Sequence, residues 1–118
     1  MGLASVHIIG GDTVAKTSGY AQALAVSTAS SKLFALRAFN KGADCYLQMF
    51  NRATAPVSTT TVPDMCLKLI GDLYTGEEFN DGMLFTTGIY VAASSTAAVF
   101  TTLGSNDILM QASYRLFP

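Results

Sequence analysis

Short runs with a side-chain period of two recur through most of the chain, and polar or glycine-containing breaks separate them at about ten-residue spacing. In "KLFALRAFN" (32–40), Phe34, Leu36 and Ala38 share one face and Arg37 takes the other. In "CYLQMFNR" (45–52), Cys45, Leu47 and Met49 alternate with Tyr46, Gln48 and Phe50. Alternation of this kind is what a half-buried β-strand needs, because successive side chains leave opposite faces of the sheet. The intervening "NKGAD" reads as a short polar turn, with Gly42 free to take positive φ, so the two runs are expected to form a β-hairpin.

The rest of the chain extends this pattern. "PVSTTTVP" (56–63) is a loop, since two prolines bracket a Ser/Thr run. "DMCLKLIGD" places Met65, Leu67 and Leu69 opposite Lys68, and "LYTGEEFNDGM" reads as a turn-rich connection. "GIYVAAS" (88–94) is β-branched and aromatic enough for a central strand, with Ile89 and Val91 toward the core, and a short return strand is expected at 99–103. "DILMQASYRLF" supplies a closing strand with Ile108, Met110, Ala112, Tyr114 and Leu116 on one side. "YAQALAVSTASS" (20–31) divides between alanine's helical preference and an alternation that favours a strand, and the strand is taken. "SVHIIGG" reads as a further short strand. The expected fold is all-β, an antiparallel β-sandwich of jelly-roll or immunoglobulin-like type. An extended N-terminal arm (1–18) precedes the sandwich domain (19–118). Replacing Gly88 or Leu47 should cost about 1–4 kcal/mol of stability through strand packing.

Composition narrows the function classes. Charged residues make up 13% of the 118, and hydrophobic ones 50%. Much of the surface must therefore be uncharged or covered by partners, a sign of an assembly subunit. The seven basic residues, Lys16, Lys32, Arg37, Lys41, Arg52, Lys68 and Arg115, are scattered and the net charge is −1, which disfavours nucleic acid as a partner. "FTTGIYVAASSTAAVFTTLGSN" (85–106) carries no charge and is long enough to span a bilayer. Its Ser and Thr residues interrupt any continuous apolar run, so no membrane partner is expected. "MGLASVHIIGGD" lacks the basic start and long apolar run of a signal peptide. Cys45 and Cys66 each lie in an apolar run and are read as free thiols.

Candidate chemistry is sparse. Gly10 to Lys16-Thr17 has phosphate-loop spacing, but Ala15 stands where the second glycine must let backbone amides turn inward. Asp72, Glu77, Glu78 and Asp81 match no calcium-loop spacing and read as a solvated acidic turn. His7 is the single histidine, without metal-ligating or nucleophilic companions nearby in sequence. Tyr46, Phe50, Tyr74, Phe79, Phe85, Tyr90, Phe100, Tyr114 and Phe117 read as core or cross-strand residues. No catalytic, metal or cofactor-binding residue is assigned, and the chain is expected not to be an enzyme.

The series "LFALRAFNKGADCYLQMFNRA", a Pro-flanked loop, then "GEEFNDGMLFTTGIYVAASSTAAVFTTLGSNDILMQASYR" resembles small β-sandwich proteins encoded in tailed-phage genomes beside virion structural genes. The matching positions are Phe39-Asn40, Tyr46 to Asn51, Phe85, Gly88-Ile89, Ser94 to Ala98 and Tyr114-Arg115, within a span from Lys32 to Arg115. The resemblance implies a virion component assembled in host cytoplasm: a capsid cement or decoration protein, commonly a homotrimer, bound outside the major capsid protein lattice. Tail, baseplate or fibre-attachment accessory proteins, and a carbohydrate-binding sandwich displayed on the particle, are the alternatives. Interface residues are expected in the arm, at Val6, His7, Ile8 and Ile9, contacting a neighbouring subunit or the shell by strand addition.

Overall fold

The computed structural model describes residues 13–117, and all eight of its regular elements are β-strands. These are β1 (Thr13–Lys16), β2 (Ala23–Ser27), β3 (Ser31–Asn40), β4 (Cys45–Phe50), β5 (Met65–Leu69), β6 (Leu73–Phe85), β7 (Ile89–Ser94) and β8 (Ile108–Leu116). They form two antiparallel four-stranded sheets, ordered β1-β8-β3-β6 and β2-β7-β4-β5. This is the strand order of a jelly roll, which decides between the two sandwich types expected from sequence. Leu33, Leu36, Ala38, Ile108, Met110 and Ala112 from the first sheet meet Leu47, Met49, Leu69, Ile89, Val91 and Ala93 from the second in one closed core. Ile89 and Val91 take the core side of β7, as the alternation predicts.

Residues 31–50 are not a hairpin. β3 and β4 lie in opposite sheets, and residues 41–44 carry the chain across the core. The expectation fails because both strands do alternate, but toward a core that they face from opposite sides. Asn40 makes the crossing possible. Its fully buried amide donates to the Ala43 carbonyl at 2.8 Å and accepts from the Gly42 amide at 2.9 Å. Its carbonyl accepts from Asp72 N, which ties in the β5–β6 crossing, and Lys41 N donates to Asp107 O beside β8. Three crossings are thus held together at one end of the sandwich.

The other end uses serine. Ser27 and Ser31, both buried, share a hydroxyl hydrogen bond of 2.7 Å across the β2–β3 crossing, and Ser31 donates to Ala29 O. The β6–β7 crossing passes over this turn at Gly88. A Cβ there would stand 2.7 Å from Ser27 O and 3.0 Å from Arg52 O, both backbone, so only glycine fits.

Three further sequence expectations change. "LYTGEEFNDGM" belongs to β6, the longest strand, not to a connection. Its turn residues form a bulge: β3 pairs Leu33 with Met83 and Ala35 with Glu78, leaving four β6 residues against Phe34. Gly82 takes φ +81° beneath the Phe34 ring. The same slip turns Phe34 off the core face, where the sequence pattern put it, and Leu33 takes the buried place. No strand forms at 99–103, where a single bridge joins Ser94 to Thr102. There, Ser94 Oγ accepts from Thr96 N and Thr101 N, and side-chain bonds of that kind compete with a regular ladder.

Cys45 is buried on the core face of β4, and Cys66 lies opposite Gln48 on the other face of that sheet. The two thiols therefore cannot pair without unravelling the ladder. Burial raises both above the ordinary 9.0, with Asp107 and Asp44 adding to the effect at Cys45, so both are neutral at pH 7.

Asn40→Ala removes a buried amide and orphans its partners, so it should cost about 2–4 kcal/mol in urea denaturation. A loss below about 0.5 kcal/mol would show that the crossing is held otherwise.

Candidate interaction surface

The two outer faces of the sandwich are unequal. Over the β2-β7-β4-β5 sheet, residues 95–103 and the 56–63 loop fold back as a cover. Gln48, fully buried, donates to the carbonyls of Thr96 and Ala97, and Phe100 stacks edge-on against Phe50 at 5.8 Å. Backbone bonds Thr59 N to Phe100 O and Phe100 N to Thr61 O join the two covering segments. The uncharged stretch that could have suggested a membrane span is thus half central strand and half lid. Among the described residues, no helix is long and apolar enough to cross a membrane.

The outer face of the β1-β8-β3-β6 sheet has no such cover among the described residues. Its register sets the outward positions. Ser31, Leu33, Leu36 and Ala38 point inward, so Lys32, Arg37 and Phe39 point outward, joined by the bulge residue Phe34. Neighbouring strands add Leu84 opposite Lys32, Tyr74 opposite Phe39, Arg115 beside Lys32, and Gln111 between Lys16 and Arg37. Four of the seven basic residues therefore share one face. No run or stripe in the linear sequence shows this, because strands distant along the chain contribute them. The outward alternation within β3 was the one available signal.

The face has two ends, set by β3, which spans roughly 30 Å at ~3.3 Å per residue. At the Ser31 end, Leu84 on this face, Leu116 at the rim on the inward side opposite Ser31, and Phe117 just beyond β8 stand exposed at 47%, 62% and 39%. They adjoin a shallow hollow lined by Lys32, Phe34, Asn80, Asp81 and Arg115. Lys32 Nζ lies over the Phe117 ring at 4.6 Å, and the Arg115 guanidinium lies over Phe34 at 5.6 Å. β1 begins here too, with Thr13 opposite Tyr114, so the chain preceding it joins the sheet at this end. At the Asn40 end, an open groove of about 260 Å³ is lined by Lys16, Thr17, Arg37, Phe39, Tyr74, Leu109 and Gln111, among others. Tyr74, 77% exposed, tilts against Phe39 with centroids 4.8 Å apart.

The sequence candidates distribute as follows. Val6, His7, Ile8 and Ile9 lie outside the described residues, as does Gly10 of the phosphate-loop spacing. Of the expected arm, the described part is not free: Thr13–Lys16 is a strand paired to β8. Lys16 thus ends a strand, and Thr17 Oγ1, just beyond it, accepts from Met110 N. No helix follows to complete a phosphate loop. Glu77, Glu78 and Asp81 lie on β6 and Asp72 just before it, and Glu78 pairs with Arg37 at 3.3 Å. Among the described residues, no group of acidic, Cys or His side chains could hold a metal ion. Tyr74 is a cross-strand partner of Phe39, as expected, and is largely solvent-facing. Comparisons with protein-family models, curated proteins and solved structures find no match to the chain.

Residues of this face should be dispensable for folding. Leu116→Ser and Tyr74→Ala should each shift stability by less than about 0.5 kcal/mol, while Leu33→Ala should cost about 2–5 kcal/mol in the same denaturation experiment. A large loss at Tyr74 would mean the outer face is part of the core, and a large loss at Leu116 that the rim beside Ser31 is.

Proposed function

We propose that the chain is a virion structural protein, a capsid cement or decoration protein that binds as a homotrimer to the outside of a major capsid protein lattice. One observation carries this reading. The exposed apolar residues Leu84, Leu116 and Phe117 gather at the end of the sheet where the chain preceding β1 joins it. A particle-binding subunit needs a rigid body with a sticky end and a peptide that can reach a neighbour. Three further features agree with it: the resemblance spanning Lys32 to Arg115, the 13% charged composition, and the jelly-roll order, an architecture that recurs in capsid proteins and lectins. The last is a fold-level analogy and counts for less than the patch. Val6, His7, Ile8 and Ile9 are the contacts proposed to a neighbouring subunit or the shell.

The boundary of the docking segment follows from β1. Removing residues 1–12 spares the strand, whereas removing 1–18 deletes it and should lower the melting temperature. On purified heads, the 1–12 deletion and Leu116→Asp should each reduce occupancy about tenfold or more, with unchanged melting. Copies of the intact protein should number in the hundreds per head. Unchanged occupancy in both variants, or a handful of copies confined to the tail vertex, would overturn the reading.

A further inference from the structure

We propose that the groove at the Asn40 end of the open sheet is a binding site for an acidic oligosaccharide, a uronate-bearing glycan. It lies at the end of β3 opposite the apolar patch, so the inference stands whether or not that patch binds a particle.

The groove combines the three chemistries that such a ligand requires. Tyr74 and Phe39, tilted together and opening to solvent, form an apolar platform for the C–H face of a sugar ring. Arg37 and Lys16 flank it, and the Arg37 guanidinium presents a planar fork suited to a carboxylate. Glu78 meets this guanidinium at 3.3 Å, but the pair is exposed at 62% and 72%, so it steadies the fork without consuming it. Gln111 can both donate and accept toward ring hydroxyls. Thr17 Oγ1 keeps its hydroxyl proton to donate, having accepted from Met110 N. Leu109 closes the apolar floor.

The geometry also disfavours single-stranded nucleic acid, the other polymer that pairs anions with flat surfaces. Successive bases need successive open rings. On this face, Phe34 and Phe117 are already covered by Arg115 and Lys32, so the Phe39–Tyr74 pair stands without a second platform. A volume of about 260 Å³ suits a sugar unit or two.

Isothermal titration calorimetry of the full chain tests this with four probes: tetragalacturonate, a heparin tetrasaccharide, fully methyl-esterified tetragalacturonate and the oligonucleotide dT8. At least one of the two acidic saccharides should bind. Binding should weaken about tenfold or more on methyl esterification, with Arg37→Gln and with Tyr74→Ala, and should fall as salt rises. Leu116→Ser, at the far end of the sheet, should bind as the unaltered chain does, which separates the groove from the patch. Silence with both acidic saccharides, equal affinity for the methyl ester, or preference for dT8 would overturn the proposal.

Discussion

Every structural feature above depends on getting the backbone across the core without stranding its polar groups. Six of the seven connections between consecutive strands pass from one sheet to the other, and β4–β5 alone joins neighbours in the same sheet. A crossing buries strand ends, so it needs internal hydrogen-bond partners there. The chain supplies them with short polar side chains at strand termini: Ser27 and Ser31, Asn40, and Ser94, all buried. The Asn40 amide is the hub, because three crossings meet on it or beside it.

Much of this architecture was legible in the sequence, and the gaps have a common cause. Period two identified β3, β4, β5, β7 and β8, together with the inward residues of β7, because burial of one face writes itself into alternation. Pairing between strands does not. "FALRAFNKGADCYLQMF" has the same alternation whether residues 41–44 make a hairpin or a crossing, and the buried amide of Asn40 decides the matter. β6 escaped notice because an edge strand with a four-residue bulge carries glycine and acidic residues that otherwise mark turns. The burial of Gln48 was not legible, because nothing local announces that residues 95–103 fold over it and Phe50.

The interaction surface was less legible still. The sequence placed its candidate contacts at Val6, His7, Ile8 and Ile9, and it showed seven scattered basic residues. Folding gathers Lys16, Lys32, Arg37 and Arg115 on one sheet face, with Phe34, Phe39 and Tyr74 interleaved. Because the opposite sheet carries its own cover, the described residues present one open face with distinct ends: an apolar patch beside the entry of β1, and a cationic, aromatic groove near Asn40. That polarity is what a particle-bound subunit would use, one end toward the lattice and the other toward the surroundings.

Amide hydrogen exchange, compared between the free protein and protein bound to purified heads, tests this polarity most directly. Docking through the apolar end predicts added protection at 83–85 and 114–117 and little change at Lys16, Phe39 and Tyr74. Protection centred on those three residues, or on the covering segments 56–63 and 95–103, would contradict it.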